Sequence, residues 1–326
     1  MLRILTAVKP TGDMPHLGNL LGAMLPFQKL SKQKDTDALL FVADLHALTS
    51  VLDAAKMEAN LRNTVAGYLA VLGLDTPVTI FRQSDVTHLP KLNWILNNVT
   101  PYSLMLRAHS FKDAEAKNSD INMGVFNYPI LMAADILGYD VDVVPVGKDQ
   151  VQHMEMTRDI ARNFNQAAGK DILKEPKAHV EEGVAVLPGL DGRKMSKSYG
   201  NFIGMFEDAE SLKKKVMSIQ TDSKGVDEAK DPETCAVFAL YRAFATPEET
   251  AALRAKYLAT GAGFGYGHAK QALAEVLERF VAPYRAKRDY LLANWGIAQA
   301  KLHAGALRAN AILNAKMAQV KGAVGV

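Results

Sequence analysis

The first two hundred residues alternate short apolar runs with longer stretches in which apolar residues recur at helical spacing. The short runs predict buried strands, and the longer stretches predict helices that connect them. The predicted strands are Leu2–Val8, Ala38–Asp44, Val78–Arg82 and Val141–Val146. The predicted helices between them are Leu17–Leu30, Ala54–Leu72 and Asp149–Phe164. Short apolar strands separated by helices indicate a parallel sheet that is covered on both faces.

The pattern changes after about residue 205, where the strand signals end. From Pro232 to the last residue, alanine and leucine at helical spacing dominate. The polar stretch Thr221–Asp231 and the glycine-rich stretch Thr260–His268 are candidate breaks in this half. We therefore predict the α/β fold class, with a Rossmann-like, doubly wound parallel sheet domain followed by an all-α C-terminal domain.

Composition narrows the class of protein without identifying it. The chain has 326 residues, 48% hydrophobic and 22% charged, which fits a soluble protein with room for two domains. It has no uninterrupted apolar run of about 18 residues, so no membrane span is expected. Its one cysteine, Cys235, excludes a disulfide within the chain and argues against a cysteine-based zinc or iron–sulfur site. We expect a cytoplasmic protein, and the formal net charge of +3 does not by itself reveal a nucleic-acid partner.

The segment Lys9–Asn19, between the first predicted strand and the first predicted helix, is a candidate phosphate-binding turn. Ligands of open α/β folds bind where strands end, and the free N–H groups at a helix N-terminus favour phosphate. Gly18 permits close approach to the backbone, and His16 can donate to a phosphate oxygen whose charge grows in a transition state. The same pattern also fits a turn that only shapes the chain, and nucleotidyltransferases share this kind of signature. The candidate nucleotide-binding residues here are Lys9, Pro10, Thr11, Gly18 and Asn19.

A second candidate phosphate site is the cationic loop Gly192–Ser198. Lys194 and Lys197 stand three apart among small polar residues, which predicts a flexible loop that can close over the β- and γ-phosphates of ATP. Lysines that meet a departing pyrophosphate lower the barrier, because its negative charge grows in the transition state. By composition alone, a solvated basic loop is the simpler interpretation.

The two segments together resemble the signatures of class I aminoacyl-tRNA synthetases. Residues 194–198, KMSKS, are similar to the second signature of that class. Residues 10–12, PTG, and 16–19, HLGN, resemble the first signature in the form typical of tryptophanyl-tRNA synthetases. The chain departs from that form by one extra residue between Gly12 and His16, so we expect the turn to bulge there. The resemblance implies catalytic roles for His16, Lys194 and Lys197, and ATP-binding roles for Lys194, Met195, Ser196, Lys197 and Ser198.

Residues 128–137 read as one helix on which Tyr128, Met132 and Asp135 share a face. A carboxylate among apolar neighbours is costly to bury unless a donor meets it, and a lone aspartate more often caps a helix or faces solvent. The string YPILMAADIL closely resembles a helix of tryptophanyl-tRNA synthetases. The resemblance implies that Asp135 accepts the indole N–H of tryptophan, that Met132 packs on the ring and that Tyr128 lines the pocket.

The run VPVGKDQVQH, residues 144–153, resembles another motif of that family. The resemblance implies that Val144 and Val146 wall the indole pocket and that Gln150 reaches the α-ammonium or carboxylate group of the substrate. It also implies contacts with the nucleotide, with the Gly147 backbone and Asp149 at the ribose. The nucleotide-binding residues implied here are Gly147, Lys148 and Asp149.

Shorter matches supply the remaining candidates. His46 lies in a run similar to the family's DxHA segment, and the resemblance implies that it forms a wall of the pocket. Without the resemblance, a core histidine with satisfied hydrogen bonds is the simpler interpretation. Leu5 stands where family members often carry an aromatic residue, so that wall is expected to be thinner. Lys112 is implied as a catalytic lysine that reaches the phosphates, with a surface lysine as the alternative. Val186 is expected to offer backbone groups to adenine, and Arg82–Asp85 is interpreted as structural.

The resemblance covers nearly the whole chain and divides it by function. It implies a catalytic, nucleotide-binding domain at residues 1–205, a helical anticodon-binding domain at 206–290, and C-terminal helices at 291–326 that pack back on the catalytic domain. It implies Mg²⁺ with ATP, L-tryptophan and tRNA(Trp) as partners, and a homodimer without a membrane association. Basic residues of the helical half that could meet tRNA phosphates are Lys213, Lys214, Lys215, Arg242, Lys270, Arg285, Lys287 and Arg288.

The implied activity is that of a tryptophan–tRNA ligase: adenylation of L-tryptophan by ATP, then transfer to the 3′ end of tRNA(Trp), releasing AMP and pyrophosphate. Three alternatives stay open. A tyrosyl-tRNA synthetase shares the fold and both signatures but not the Met132–Asp135 helix. A small-molecule nucleotidyltransferase does not need the lysine loop or the long helical half. A non-catalytic paralogue would often lose the loop lysines, which are both present in this chain.

Overall fold

The computed structural model describes residues 1–12, 14–116, 121–180, 187–261 and 263–326. Contacts divide these into two compact units: residues 1–12, 27–116, 121–180 and 291–326 form the first, and residues 14–26, 187–261 and 263–290 form the second.

The strands are β1 (Leu2–Val8), β2 (Thr36–Val42), β3 (Thr79–Arg82), β4 (Val143–Pro145) and β5 (Lys177–His179). The helices are α1 (Leu17–Asn19), α2 (Leu25–Ser31), α3 (Asp44–Ala47), α4 (Ala54–Leu72), α5 (Leu89–Asn97), α6 (Tyr102–Leu106), α7 (His109–Ala116), α8 (Met123–Leu137), α9 (Val151–Ala168), α10 (Ala209–Met217), α11 (Ala236–Phe244), α12 (Pro247–Leu258), α13 (Tyr266–Ala293) and α14 (Trp295–Val324).

The first unit is built on a parallel sheet, which in the described residues has the order β3-β2-β1-β4-β5. β1 and β2 pair along their whole length, from Leu2 opposite Thr36 to Val8 opposite Val42. Strand order reverses at β1, so the carboxyl ends of β1 and β4 flank the topological switch point where ligands of such sheets bind. The predicted doubly wound fold is therefore confirmed.

Both faces of the sheet are buried, because side chains alternate between two apolar clusters. Leu5, Phe41 and Phe81 belong to the cluster on one face, which includes residues of α5, α8 and α9. Ile4 and Leu40 belong to the other cluster, which includes residues of α2 and α4. This alternation follows from the two-residue period of a strand, and it explains why the central strands contain continuous apolar runs, such as ALLFV in β2.

Helix α14 packs on β3 and contributes to both apolar clusters. The close approach depends on Gly305, since a Cβ there would lie 1.8 Å from the carbonyl oxygen of Ile80. The helix is also tied by polar contacts: Arg308 pairs with Asp37, which is buried and also accepts from Arg3 Nε at 2.8 Å. These contacts hold the last helix against the edge of the sheet.

The second unit contains α1 and the residues just before it, the lysine loop, helices α10 to α12 and most of α13. The segment Leu17–Ser31 continues from α1 through a π-helical turn, Leu20–Met24, into α2, much as the helical spacing predicted. Further along, α11 packs on α12, where Phe238 and Tyr257 meet edge to face with ring centroids 5.2 Å apart. The predicted boundaries at 205 and 290 stay predictions.

Candidate active site

His16 caps the first helix of the chain through a reciprocal pair of hydrogen bonds. Its Nδ1 accepts from the backbone N–H of Asn19 at 3.3 Å, and Asn19 Oδ1 accepts from the backbone N–H of His16 at 3.1 Å. This capping box fixes the side chain at the start of the helix. Because a backbone N–H can only donate, Nδ1 must be unprotonated, and the ring proton of the neutral imidazole lies on Nε2.

The charge state of His16 agrees with that assignment. Burial, followed by the positive charges of Lys197 and Lys194, lowers the pKa of His16 to about 4. The imidazole is therefore neutral at pH 7 and offers Nε2–H as a donor. The influence of both loop lysines also shows that His16 and the KMSKS loop lie close together within the second unit.

Gly18 leaves the space that the His16 ring occupies. A Cβ at this position would lie 2.8 Å from His16 Cε1 and 2.9 Å from Nδ1, which is closer than real contacts allow. We expect Gly18→Ala to displace the ring and lower the kcat of amino-acid-dependent ATP–pyrophosphate exchange by 10-fold to 100-fold, within the range of lost positioned donors. Gly322→Ala is the matched control, because a Cβ there meets nothing within 4 Å. Equal rates for the two variants would remove His16 from the chemistry.

The backbone joins the two sequence motifs directly. Leu17 N–H donates to Ile203 O at 3.0 Å, and Met205 N–H donates to Pro15 O at 2.9 Å. These bonds make an antiparallel bridge between His16 and Gly204, just after the lysine loop. Residues 16–19 of the first signature and the lysine loop, far apart in sequence, are thus neighbours in the second unit.

The lysine loop is held from within by Asn201, which is buried. Asn201 Nδ2 donates to Asp191 Oδ1 at 2.7 Å and to Lys194 O at 3.1 Å, while its Oδ1 accepts from Ser196 N–H at 2.8 Å. Met195 is buried, and its N–H donates to Leu187 O at 2.8 Å. The backbone around Lys194 is tied at several points, because one asparagine satisfies both sides of the turn. The flexibility predicted from the sequence stays a prediction.

The two loop lysines differ in environment. Lys194 is exposed, whereas Lys197 is half-buried and begins a short 3₁₀ turn capped by the Ser196 hydroxyl, which accepts from Ser198 N–H at 3.2 Å. Of the two, Lys197 contributes more to the lowered pKa of His16. Lys197 is therefore the better placed of the two to act together with His16.

The first unit holds the residues predicted to recognise the amino acid. Asp135 lies on α8 with 3% of its surface exposed, and Gln83 Nε2 donates to its Oδ2 at 2.7 Å. Burial raises the pKa of Asp135 well above its ordinary value, the hydrogen bond from Gln83 opposes that shift, and the charge of Asp44 adds to it. A buried carboxyl with one donor is a strong acceptor for a second donor.

Beside Asp135 on the same helix, Tyr128 is part of a ring cluster. The Tyr128 ring lies 4.6 Å from that of His46 and 5.6 Å from that of His153, and its hydroxyl lies 3.3 Å from His153 Nε2. Burial, then Lys9 and His153, lowers the pKa of His46 to about 4, so this ring is neutral at pH 7. Among the described residues, His153 Nδ1 is buried without a hydrogen-bond partner.

The side chain of Lys9, at the end of β1, lies near this cluster. Lys9 Nζ donates to Thr49 Oγ1 at 3.1 Å, and Thr49 Oγ1 in turn donates to His46 O at 2.8 Å. Burial lowers the pKa of Lys9. The carboxyl end of β1 therefore presents a half-buried ammonium group at the switch point of the sheet.

The residues after β4 form the opposite side of the switch point. Val144 is buried in the strand, Val146 N–H donates to His179 O at 3.0 Å, and Gly147 begins the 3₁₀ turn Lys148–Gln150. Gln150 Nε2 donates to the exposed Asp149 at 2.7 Å. These polar side chains are accessible in the structure, as a ligand contact requires.

The remaining candidates have separate surroundings. Leu5 and Met132 contribute to the apolar cluster that contains Val144, while Lys112 is exposed on α7. Pro10 is buried and Thr11 is exposed. Val186 lies outside the described residues, as does Asp13 in the expected bulge.

Two residues that the sequence did not assign hold the predicted site residues in place. Gln83, interpreted as structural, donates to Asp135, and Asn201 clamps the lysine loop. A single sequence gives no signal for either contact, because Gln83 and Asp135 are far apart in the chain. Asn201 lies just outside the KMSKS string, so no motif pointed to it.

No group of three or more histidine, cysteine, aspartate or glutamate side chains within the described residues is placed to hold a metal ion. None of the helices in the described ranges combines the length and apolar character needed to span a bilayer.

Comparison with known proteins identifies the class. A family model described as tRNA synthetases class I (W and Y) matches residues 1–282. The chain belongs to this family of class I aminoacyl-tRNA synthetases, enzymes that join an amino acid to its tRNA. The predicted enzyme class is confirmed.

Within the family, the chain is similar along its length to tryptophan–tRNA ligases. The chain is 44% identical over 327 residues to the tryptophan–tRNA ligase of Fusobacterium nucleatum, covering 100% of this chain and 98% of the relative. It is 43% identical over 312 residues to the tryptophan–tRNA ligase of Rhodopirellula baltica, covering 95% of each. The crystal structure of Campylobacter jejuni tryptophanyl-tRNA synthetase complexed with ADP and tryptophan matches with a TM-score of 0.94 and 39% identity over all of both chains. The resemblance to tryptophanyl-tRNA synthetases is confirmed.

Proposed function

We propose that this chain is the ligase for tryptophan: it adenylates L-tryptophan with ATP and transfers the aminoacyl group to the 3′ end of tRNA(Trp), releasing AMP and pyrophosphate. The observation that carries the choice of amino acid is the buried Asp135, whose Oδ2 already accepts from Gln83. Its other oxygen suits the indole N–H of tryptophan. Full-length similarity to tryptophan–tRNA ligases supports the same substrate.

For adenylation, the tryptophan carboxylate attacks the α-phosphate of ATP in line, so positioning and charge stabilisation carry the step. His16 would donate from Nε2 to a phosphate oxygen, and Lys194 and Lys197 would meet the departing pyrophosphate. Lys9 would neutralise charge on the tryptophan carboxylate or on the α-phosphate. No protein nucleophile takes part in this scheme.

On the amino-acid side, the neutral His46 and Tyr128 would form one wall of the pocket, with Met132 against the indole ring. Gln150 would bind the α-ammonium or carboxylate group. Val144 and Val146, at the end of β4, would close the apolar side, with Leu5 beneath them. In the first unit, the residues proposed to bind the nucleotide are Pro10, Thr11, Lys112, the Gly147 backbone, Lys148 and Asp149. In the second unit, the same role is proposed for Gly18, Asn19, Met195, Ser196 and Ser198. It is also proposed for Val186.

The metal we propose is the Mg²⁺ that accompanies ATP. The candidate phosphate-binding groups, His16 Nε2–H, Lys194 and Lys197, are neutral or cationic donors, which suit phosphate oxygens and not a metal ion. Mg²⁺ is commonly bound through substrate phosphates with few protein ligands. When bound, Mg²⁺ would neutralise phosphate charge, and His16, Lys194 and Lys197 would orient ATP.

Transfer requires tRNA, and the second unit offers cations for it. Several basic residues there form ion pairs within the chain: Lys215 with Glu207, Arg242 with Glu233, and Arg285 with Glu278. Lys213, Lys214 and Lys287 are exposed and are our preferred contacts for tRNA phosphates. We place the reaction in the cytoplasm, where ATP and tRNA are available.

We further propose that the enzyme is a homodimer. Trp94 on α5 is 70% exposed and Tyr102 on α6 is 69% exposed, which is unusual for such large apolar rings. Trp94→Glu is expected to shift the mass measured by sedimentation equilibrium at micromolar concentration from dimer to monomer, because a charge would be buried in the interface. Lys91→Glu, one turn away on α5, is the control for added charge. A monomeric wild-type protein would contradict the proposal.

The whole reaction is tested by charging tRNA(Trp) transcripts with radiolabelled tryptophan or tyrosine and digesting the 3′ end. The proposal predicts tryptophanyl-adenosine as the product, and no tyrosyl-adenosine. Charging with tyrosine alone would make the chain a tyrosine enzyme, which the family description also covers.

A further inference from the structure

Gln83 has an orientation that the backbone dictates. The side chain is 1% exposed; its Oε1 accepts from the N–H of His46 at 3.0 Å, and its Nε2 donates to Asp135 Oδ2 at 2.7 Å. Because a backbone N–H can only donate, the carboxamide oxygen must face His46. The amide N–H groups must then face Asp135.

The turn that carries Gln83 is fixed on both sides. Ser84 N–H donates to Asp44 Oδ1 at 2.9 Å, at the start of α3. Asn310 of α14 donates from Nδ2 to Asp85 O at 2.8 Å. Arg82 closes the turn with two bonds to the Asp85 carboxylate, at 2.8 and 2.6 Å. A side chain on such a turn has little freedom to follow Asp135, so it sets the position of the carboxylate.

Asp135 depends on this donor. In the described part of the chain, Gln83 is the one side chain that donates a hydrogen bond to Asp135. A buried carboxylate without a donor takes up a proton instead of staying ionised. A protonated carboxyl would present an O–H donor to the ligand, and the pocket would lose its preference for a ligand N–H.

We propose that Gln83 is a positioning residue for amino-acid selection, which holds Asp135 as an acceptor and leaves one carboxylate oxygen for the indole N–H of the substrate. The inference rests on tryptophan as the proposed substrate. Gln83 acts through Asp135 and needs no contact with the ligand itself.

The charged surroundings of Asp135 are few. Asp44 on α3 and Tyr139, one turn further along the chain, interact with it electrostatically. His46 on α3 and His153 on α9 titrate in the adjoining cluster, and burial lowers the pKa of both. Helices α5 and α6, which also pack on α8, contribute apolar residues to the cluster around it. A pH effect that appears only when Gln83 is replaced by methionine, which does not titrate, would therefore come from Asp135.

The test is a double-mutant cycle in which Gln83 is changed in the protein and the indole N–H is replaced in the ligand. The KM of L-tryptophan in ATP–pyrophosphate exchange is compared with the Ki of L-β-(1-benzothiophen-3-yl)alanine, in which sulfur replaces the indole N–H. For the wild type, we expect the analogue to bind about 100-fold more weakly, as when a buried charged acceptor is left unpaired. For Gln83→Met, we expect the ratio to fall below about tenfold, mostly through weaker binding of tryptophan.

The pH dependence of the KM of tryptophan supplies a second test. For Gln83→Met, the KM of tryptophan should decrease as the pH rises from about 6.5 to 9, because Asp135 must lose a proton to accept the indole N–H. For Gln83→Glu, a protonated glutamic acid can still donate to Asp135, so the KM should instead increase with pH. The wild type should show neither trend. Gln152→Met is the control: this glutamine also holds backbone groups, His109 N–H and Arg107 O, in the same unit.

The outcomes separate the two proposals. Loss of discrimination with opposite pH trends in the two Gln83 variants supports the positioning role. Equal weakening of both ligands in Gln83→Met, without a pH trend, would show a merely structural role and overturn it. Wild-type protein without any tryptophan-dependent exchange would overturn the proposed function before Gln83 is considered.

Discussion

Replacing Asp135 with asparagine is expected to raise the KM for tryptophan about 100-fold while the KM for ATP changes little. The carboxylate has two acceptor oxygens, one for Gln83 and one for the indole N–H. Asparagine offers one acceptor and one donor, so either Gln83 or the indole N–H must face another donor. Steady-state ATP–pyrophosphate exchange measures both constants. Unchanged tryptophan kinetics would remove Asp135 from the pocket.

The same variant should be more stable than the wild type when no ligand is bound. Because burial raises the pKa of Asp135, the ionised form opposes folding, and the ligand-free protein loses stability as the pH rises through the folded-state value. Asparagine carries no charge, so its advantage in the free energy of unfolding should grow with increasing pH and shrink in acid. Urea unfolding at a series of pH values measures this difference. An equal pH dependence for both proteins would contradict the assigned charge state.

Replacing Lys197 with alanine is expected to lower the kcat of exchange 10²-fold to 10³-fold, the range found when one preorganised donor to a developing charge is removed. The KM for tryptophan should stay similar, because the lysine meets the pyrophosphate group. The pKa of His16 should also rise from about 4 towards its ordinary value, since one nearby positive charge is lost while burial remains. NMR titration of His16 measures this shift.

Lys214→Ala is the matched control for Lys197→Ala. Lys214 is exposed on α10 in the same unit and has no role assigned in adenylation. Its exchange rate should equal that of the wild type, whereas charging of tRNA should weaken, because Lys214 is one of the proposed contacts for tRNA phosphates. A Lys197→Ala enzyme with an unchanged exchange rate would make the loop dispensable for adenylation.

The parts of the fold that the sequence predicted are those with strong periodic signals. Leu2–Val8 and Ala54–Leu72 were predicted with the bounds that the structure has, because one is a continuous buried run and the other a long amphipathic stretch. β5 was missed, since Lys177–His179 is a three-residue edge strand with exposed ends and no apolar signal. Pairing with β4, and not its own composition, makes it a strand.

The site residues were predicted from sequence motifs, and such motifs consist mainly of residues that contact ligands. Tyr128, Met132 and Asp135 could be placed on one face because helical spacing is fixed. Gln83 and Asn201 could not be found, because each acts through a residue that is distant or on the far side of a turn. The tautomer of His16 likewise follows from Asn19 N–H, which only the folded backbone brings to the ring.

The central claim is tested most directly by ATP–pyrophosphate exchange with each of the twenty amino acids in parallel. We predict exchange with tryptophan alone, because the other side chains leave the acceptor on Asp135 unpaired and also differ from tryptophan in size and shape; together these effects can reach roughly 10⁴-fold. Exchange with tyrosine in place of tryptophan would keep the family and both signatures but contradict the role of Asp135.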